Sequence, residues 1–221
     1  MKSNEDLQKD VQNAITWEPL LHAAEIGVTA DSGIITLFGT VDSYAKKAKA
    51  EEAAKYVSGV KAIVEKIEVH FHLIGRKTDT EIAAEILNVF KWHWDIPNEN
   101  IEVKVENGWI TLEGEIEWNY QKQAAKQAVS NLLGIKGIIN NIMIKPKLRD
   151  ASINVNDIVS ALWRNVTIDH NGITVTVTRG SKVTLTGAVQ SLHQKEEANR
   201  IVWSAPGVLE VDNQLTVDTY Q

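Results

Sequence analysis

The sequence contains no cysteine, so disulfides, thiolate catalysis and cysteine metal ligands are excluded, and the redox compartment leaves no mark on it. Nowhere does it approach the roughly 20 consecutive apolar residues that a bilayer-spanning helix needs. Its start, Met1-Lys2-Ser3-Asn4-Glu5-Asp6, lacks the apolar core of a secretory signal. That predicts a cytoplasmic protein for the sequence as it stands, and a periplasmic one if a signal peptide has been removed. A basic patch is missing too. The 221 residues carry a formal charge of −6, and the densest basic cluster, Lys46, Lys47 and Lys49, is followed at once by Glu51 and Glu52. Such a chain repels phosphate backbones, so nucleic acid is not an expected partner, and the cluster reads as a solvated helix face.

Signals of catalysis are equally scarce. There is no Gly-x-Ser-x-Gly elbow for a nucleophile. The glycine-rich turns lack the Lys-Ser/Thr pair of a phosphate loop and do not open helices. Glu51 and Glu52 sit on an outer helix face, without the burial that general acid–base work needs. His70-Phe71-His72 puts two imidazoles on one side of a strand, a metal half-site, but no third ligand lies nearby and solvent-facing histidines are the plainer reading. No enzyme activity, cofactor or metal is expected.

What the sequence does have is a repeat. Gly33-Ile34-Ile35-Thr36-Leu37-Phe38-Gly39 returns as Gly108-Trp109-Ile110-Thr111-Leu112-Glu113-Gly114 and as Ser181-Lys182-Val183-Thr184-Leu185-Thr186-Gly187. A second landmark, Gly59-Val60, Gly134-Ile135 and Gly207-Val208, keeps the same spacing. In each copy a helical stripe comes first: Leu7, Val11, Ala14 and Ile15; then Ile82, Ile86, Val89 and Phe90; then Ile158 and Leu162. Asp79 and Asp157 are placed as N-caps or first-turn acids of the second and third of these helices. Alternating strands follow at Glu25–Ala30, Ile101–Val105 and Ile173–Val177. Each ends in a turn, of which Asn107-Gly108 is the strongest hairpin signal. After Gly39, Gly114 and Gly187 the period turns helical again, with Ser43 and Ser191 as N-cap candidates. Gly59, Gly134 and Gly207 are expected to end those helices in the left-handed region. A last strand carries Ile63, Ile67 and Val69, then Ile138, Ile142 and Ile144, then Val211, Leu215 and Val217.

The expected fold class is α+β: three tandem α-β-β-α-β modules over 1–75, 76–149 and 150–221. Each is a three-stranded mixed sheet with two helices on one face. A module of this size buries a modest core, so contacts between copies should add stability. The links near His72–Thr78 and Pro146–Asn154 are short enough for a compact array.

The Gly-x-Val/Ile-Thr-Leu-x-Gly strand, with the later Gly-Val before the last strand, resembles the BON domain, over residues 5–72, 78–146 and 153–218. The resemblance implies a non-enzymatic protein tied to osmotic or envelope stress, usually periplasmic, that binds phospholipid surfaces or other envelope components. The matching glycines, Gly39, Gly59, Gly114, Gly134, Gly187 and Gly207, are structural, and no ligand-binding residue carries over.

Seven tryptophans are the unusual signal, and Trp92, Trp94, Trp109 and Trp118 fall in copy two. A helical stripe Ala83, Leu87, Phe90 and Trp94 runs beside the core stripe, and Trp109 is expected on the sheet face away from the helices, as is Phe38. Leu87, Phe90, Trp92, Trp94 and Trp109 are therefore the candidate contact residues, for packing between copies or subunits, or for a partner or lipid surface. Copy two is neutral while the other two copies are each about −3, which makes it the least unfavourable face for an anionic surface. The alternative is a self-assembling, homo-oligomeric protein whose apolar stripes are subunit contacts.

Overall fold

The computed structural model describes residues 2–21, 26–71, 77–145, 153–168, 172–178 and 181–218. Copy one runs α1 (Asn4–Thr16), β1 (Ile26–Asp31), β2 (Ile34–Val41), α2 (Tyr44–Tyr56) and β3 (Ala62–Val69). Copy two runs α3 (Asp79–Trp92), β4 (Ile101–Glu106), β5 (Trp109–Ile116), α4 (Asn119–Ser130), β6 (Gly137–Asn140) and β7 (Met143–Ile144). Copy three runs α5 (Val155–Arg164), β8 (Ile173–Thr178), β9 (Lys182–Val189), α6 (Leu192–Trp203), β10 (Glu210–Asn213) and β11 (Thr216–Val217). The chain is α+β, with one mixed sheet per copy. In each, the first two strands pair antiparallel; β6 and β7 join β5 in parallel, and β10 and β11 join β9 in the same way.

The residues group into two compact units, one of 1–39, 49–66 and 148–221, the other of 40–48 and 67–147. Copy one contributes to both. In the first unit, α2 meets copy three: the Tyr56 ring stacks on His193 with centroids 3.8 Å apart, and the Gly59 N–H donates to the Gln190 carbonyl at 3.0 Å. Lys55 bridges Glu51 and Glu196 at 2.9 and 2.8 Å. Burial works against its ammonium, but the hydrogen bonds it donates to Glu196 and Glu51 outweigh it and raise its pKa. In the second unit, Tyr44 packs on the core of copy two, and the Lys47 ammonium stands 6.0 Å from the Trp109 ring centroid. The copies thus do touch, as their small size requires. The two links between them lie mostly outside the described residues.

The first helices are capped by Ser3, Thr78 and Asn154, whose side chains accept from Asp6, Glu81 and Asn156 N–H groups. Asp79 is thus the first-turn acid of its helix and not the cap, one of the two roles expected for it. It lies one residue inside the helix, and its carboxylate accepts the N–H groups of Asn107 and Gly108 at 2.7 and 2.9 Å, pinning the hairpin turn to the helix start. In copy one Asn4 takes the Ser32 N–H in the same way at 2.9 Å. Both turns are two-residue loops with positive φ at each position: Ser32 52 and Gly33 89, Asn107 52 and Gly108 80.

The cores sit between the helices and one sheet face. In copy two, Ile82, Ile86 and Phe90 of α3 and Ala125 and Val129 of α4 cover Ile110, Leu112 and Ile116. In copy three, Ile158, Leu162, Ala198 and Val202 cover Val183, Leu185 and Val189. Ser191 caps α6, accepting the Gln194 N–H; the Ser43 hydroxyl instead donates to Asp42. The second helices stop earlier than expected, at Tyr56, Ser130 and Trp203. Gly59, Gly134 and Gly207, at φ 94, 90 and 82, follow in the turn that leads into the last strand.

One feature recurs three times. Eight residues after the motif glycine, Lys47, Lys122 and Lys195 each donate to a carbonyl of the last strand, Ile67, Ile142 and Leu215, at 2.8, 2.6 and 2.6 Å. In copies two and three Asn140 and Asn213 sit beside it. Each Asn donates to the carbonyl of that lysine and accepts the N–H two residues on, so the side chain stands in for a ladder partner and the last strand breaks in two. Copy one has Glu65 there, and β3 is continuous. Burial lowers the pKa of Lys122. Lys122→Ala leaves a part-buried carbonyl without its donor and is expected to cost about 1–3 kcal/mol, read from urea unfolding. A loss below half that would show the bond to be dispensable.

Candidate functional site

In copy two the first helix stops at Trp92. His93 turns extended, at φ −94 and ψ 105, and its N–H returns to the Phe90 carbonyl at 3.3 Å. The loop then dives inward. Ile96 is buried, its N–H bonded to the His93 carbonyl at 3.2 Å, and Pro97 leads into a short 3-10 turn, Asn98–Asn100. Two anchors, Phe90 before and Ile96 after, therefore hold a five-residue segment between them. Trp92 and Trp94 project from it, 83% and 91% exposed. Leu87, 51% exposed, lies one turn back on α3, and Lys91 is in the last turn. The bend presents two large apolar rings to water beside one cation and Asp95, which lies 3.5 Å from His93.

The candidate residues are placed unequally. Leu87, Trp92 and Trp94 share this end of the module. Phe90 does not belong with them: it is 1% exposed and is the largest fully buried side chain. The i, i+4 series Ile82, Ile86, Phe90 faces the sheet, and the helix ends before Trp94, so the stripe through Leu87, Phe90 and Trp94 is not one face. Trp109 lies on the open sheet face, as expected, but its ring covers Gly137 of the neighbouring strand: a Cβ built there would fall 2.3 Å from the ring. Phe38 covers Gly27 in the same manner, also at 2.3 Å. These half-exposed aromatics fill the space that glycine leaves in the neighbouring strand. Trp118 precedes α4 half-buried, and Trp203 packs on the core of copy three.

The same arrangement recurs in the other copies. Trp17, 89% exposed, ends α1 and is followed by Leu20, 64% exposed, and the buried Leu21. In copy three Trp163 lies in the last turn of α5, 63% exposed, followed by Val166, 98% exposed, and the buried Ile168. Trp17 and Trp92 are separated by the same 75 positions as Gly39 and Gly114, the signal from which this could have been read.

His70 pairs with Glu68 at 3.0 Å; His72 lies outside the described residues. Among the described residues no three His, Asp or Glu side chains converge as metal ligands, and no helix is long and apolar enough to cross a membrane. An open groove of about 500 Å³ runs between α5 and α6 of copy three, lined by Asp157, Arg164, Arg200 and Ser204 over Ile158 and Ile201. Arg200 is held there by Glu197 at 2.6 Å, and its guanidinium keeps that carboxyl below the usual range.

The family model for the BON domain matches three times, at residues 3–70, 78–146 and 150–219. Osmotically-inducible protein Y of Escherichia coli strain K12 is 25% identical over 139 residues, covering 61% of this chain and 69% of that protein. An uncharacterized protein in the gshII 5′ region of Anaplasma centrale is 29% identical over 130 residues, covering 57% of this chain and 86% of that protein. Among solved structures, the C-terminal domain of CdsD, a structural protein of the type III secretion system of Chlamydia trachomatis, aligns over 99% of this chain and all of that one. Identity is 14% and the TM-score 0.26, too low to carry any inference.

Proposed function

The chain belongs to the BON domain family, with the domain present three times, and on that footing we propose that it is a non-enzymatic binding protein of the osmotic-stress response, working at the cell envelope and contacting phospholipid surfaces. One curated relative, osmotically-inducible protein Y, is named for osmotic induction. The observation that carries the lipid reading is the pair Trp92 and Trp94. They are almost fully exposed on a bend pinned at both ends, which soluble surfaces seldom show unless something covers it. Indole suits a boundary that is apolar on one side and wet on the other. Lys91 beside the rings and the neutrality of copy two suit an anionic headgroup layer. This reading calls for a chain that reaches the periplasm.

The test is co-sedimentation with vesicles of anionic or zwitterionic lipid at low salt. Binding to the anionic vesicles is expected, and Trp92→Ala with Trp94→Ala should weaken it at least tenfold, about 1.4 kcal/mol. No binding, or binding indifferent to the double substitution, would sink the lipid reading. Self-assembly is the second reading, and a separate observation favours it.

A further inference from the structure

Among the described residues, strands β1, β4 and β8 are the outer strands of their sheets, each pairing with one neighbour. Alternate N–H and C=O groups along such a strand face away from the sheet, a template for another strand. The pairing register aligns the three residue for residue, because Ile26, Ile101 and Ile173 each stand opposite the motif glycine. At the three positions turned away from the helices, copy one has Gly27, Thr29 and Asp31. Copy two has Glu102, Lys104 and Glu106. Copy three has Thr174, Thr176 and Thr178. Charge, or a glycine covered by Phe38, guards the first two edges. The third reads Ile-Thr-Val-Thr-Val-Thr: six β-branched residues with no charge, glycine or proline.

The inner row of β8 differs too. Ile173 is half-buried where its counterparts Ile26 and Ile101 are buried, so all three inner residues of β8, Ile173, Val175 and Val177, are half-buried; Val103 and Val105 of β4 are half-buried too. Copy three thus offers at one edge both an unguarded ladder and an under-covered apolar row.

We propose that β8 is the docking edge for a second copy of this chain, pairing antiparallel with its own counterpart about a two-fold axis. The strand is self-complementary in that arrangement. Centred on Val175 or on Thr176, the pairing puts threonine opposite threonine and Val or Ile opposite Val or Ile. Both helix layers then lie on one side of a continuous sheet, and the two half-buried rows cover each other. Thr174 opposite Thr186 and Thr176 opposite Thr184 already pair this way inside the sheet. This gives the self-assembly reading a specific surface, separate from the tryptophan bend.

The full chain, 24.6 kDa as a monomer, should double in mass by light scattering as concentration rises through the micromolar range. Amide exchange of 173–178 should slow in step. The variant Thr174→Glu, Thr176→Lys, Thr178→Glu installs copy two's own residues at the same positions, and should stay monomeric with an unchanged circular dichroism spectrum while still binding vesicles. Trp92→Ala with Trp94→Ala should leave the dimer intact. A monomer at every concentration, with amide exchange of β8 independent of concentration, would overturn the proposal. So would a dimer that the threonine variant leaves intact, or protection of β8 produced only by an added extended peptide.

Discussion

Gly114→Ala is expected to cost copy two about 4 kcal/mol, enough to unfold it on its own at modest urea concentration. The residue sits at φ 133, where an L side chain is strained by about 1–3 kcal/mol, and an alanine Cβ would fall 2.0 Å from the Asn100 carbonyl oxygen. That oxygen belongs to backbone entering β4, so the clash can be relieved only by pulling the hairpin apart, a further ~1–3 kcal/mol. Gly187 repeats the situation against Gly172, at 1.8 Å. Gly137→Ala is the control that separates crowding from crowding that cannot move. Its Cβ would meet the Trp109 ring at 2.3 Å, but the ring can swing outward and Gly137 has no positive φ. A loss within about 1.5 kcal/mol and altered tryptophan fluorescence are expected there. Equal losses for the two substitutions, read from the urea transition of copy two, would show that the motif glycine is not held by its backbone neighbour.

Phe90→Ala should be nearly as damaging. Removing the largest fully buried side chain leaves a cavity in the core of copy two and is expected to cost about 3–5 kcal/mol. The substitutions Trp92→Ala and Trp94→Ala, on the exposed bend, should each stay within about 0.5 kcal/mol of the parent. Thermal unfolding separates these outcomes. Were Phe90→Ala neutral, the ring would not be the anchor that fixes the bend.

The pair also marks the limit of what the sequence tells. Period and turn chemistry place every helix and hairpin, because a buried face at 3.6 or 2.0 residues repeats in the text itself. Phe90 fits two overlapping stripes, and only the end of α3 at Trp92 decides between them. Where that helix stops depends on Ile96 diving into the core, a tertiary event. The lysine bonds from Lys47, Lys122 and Lys195 were half legible: the lysines recur at fixed spacing after the motif glycine, but their partners are carbonyls, which leave no trace in residue identity. Asp79 is a similar case: its place at the helix start is legible, but what its carboxylate binds is not. Its partners, Asn107 and Gly108, are distant in sequence. Trp17 and Trp163 stand out less in the sequence because copy two holds more tryptophans, although position relative to the repeat matters more than number.

The joining of copy one to copy three has a consequence for how the protein is made. Residues 67–147 form most of one unit and are all synthesised before copy three exists, whereas the other unit needs 148–221 to be complete. On the ribosome, copy two can close early, from contacts within its own stretch of chain. The surface of copy one around Lys55 and Tyr56 has to wait, solvated, until Gln190, His193 and Glu196 emerge. The third copy therefore completes the first, and a premature stop after copy two would release a chain with that surface open.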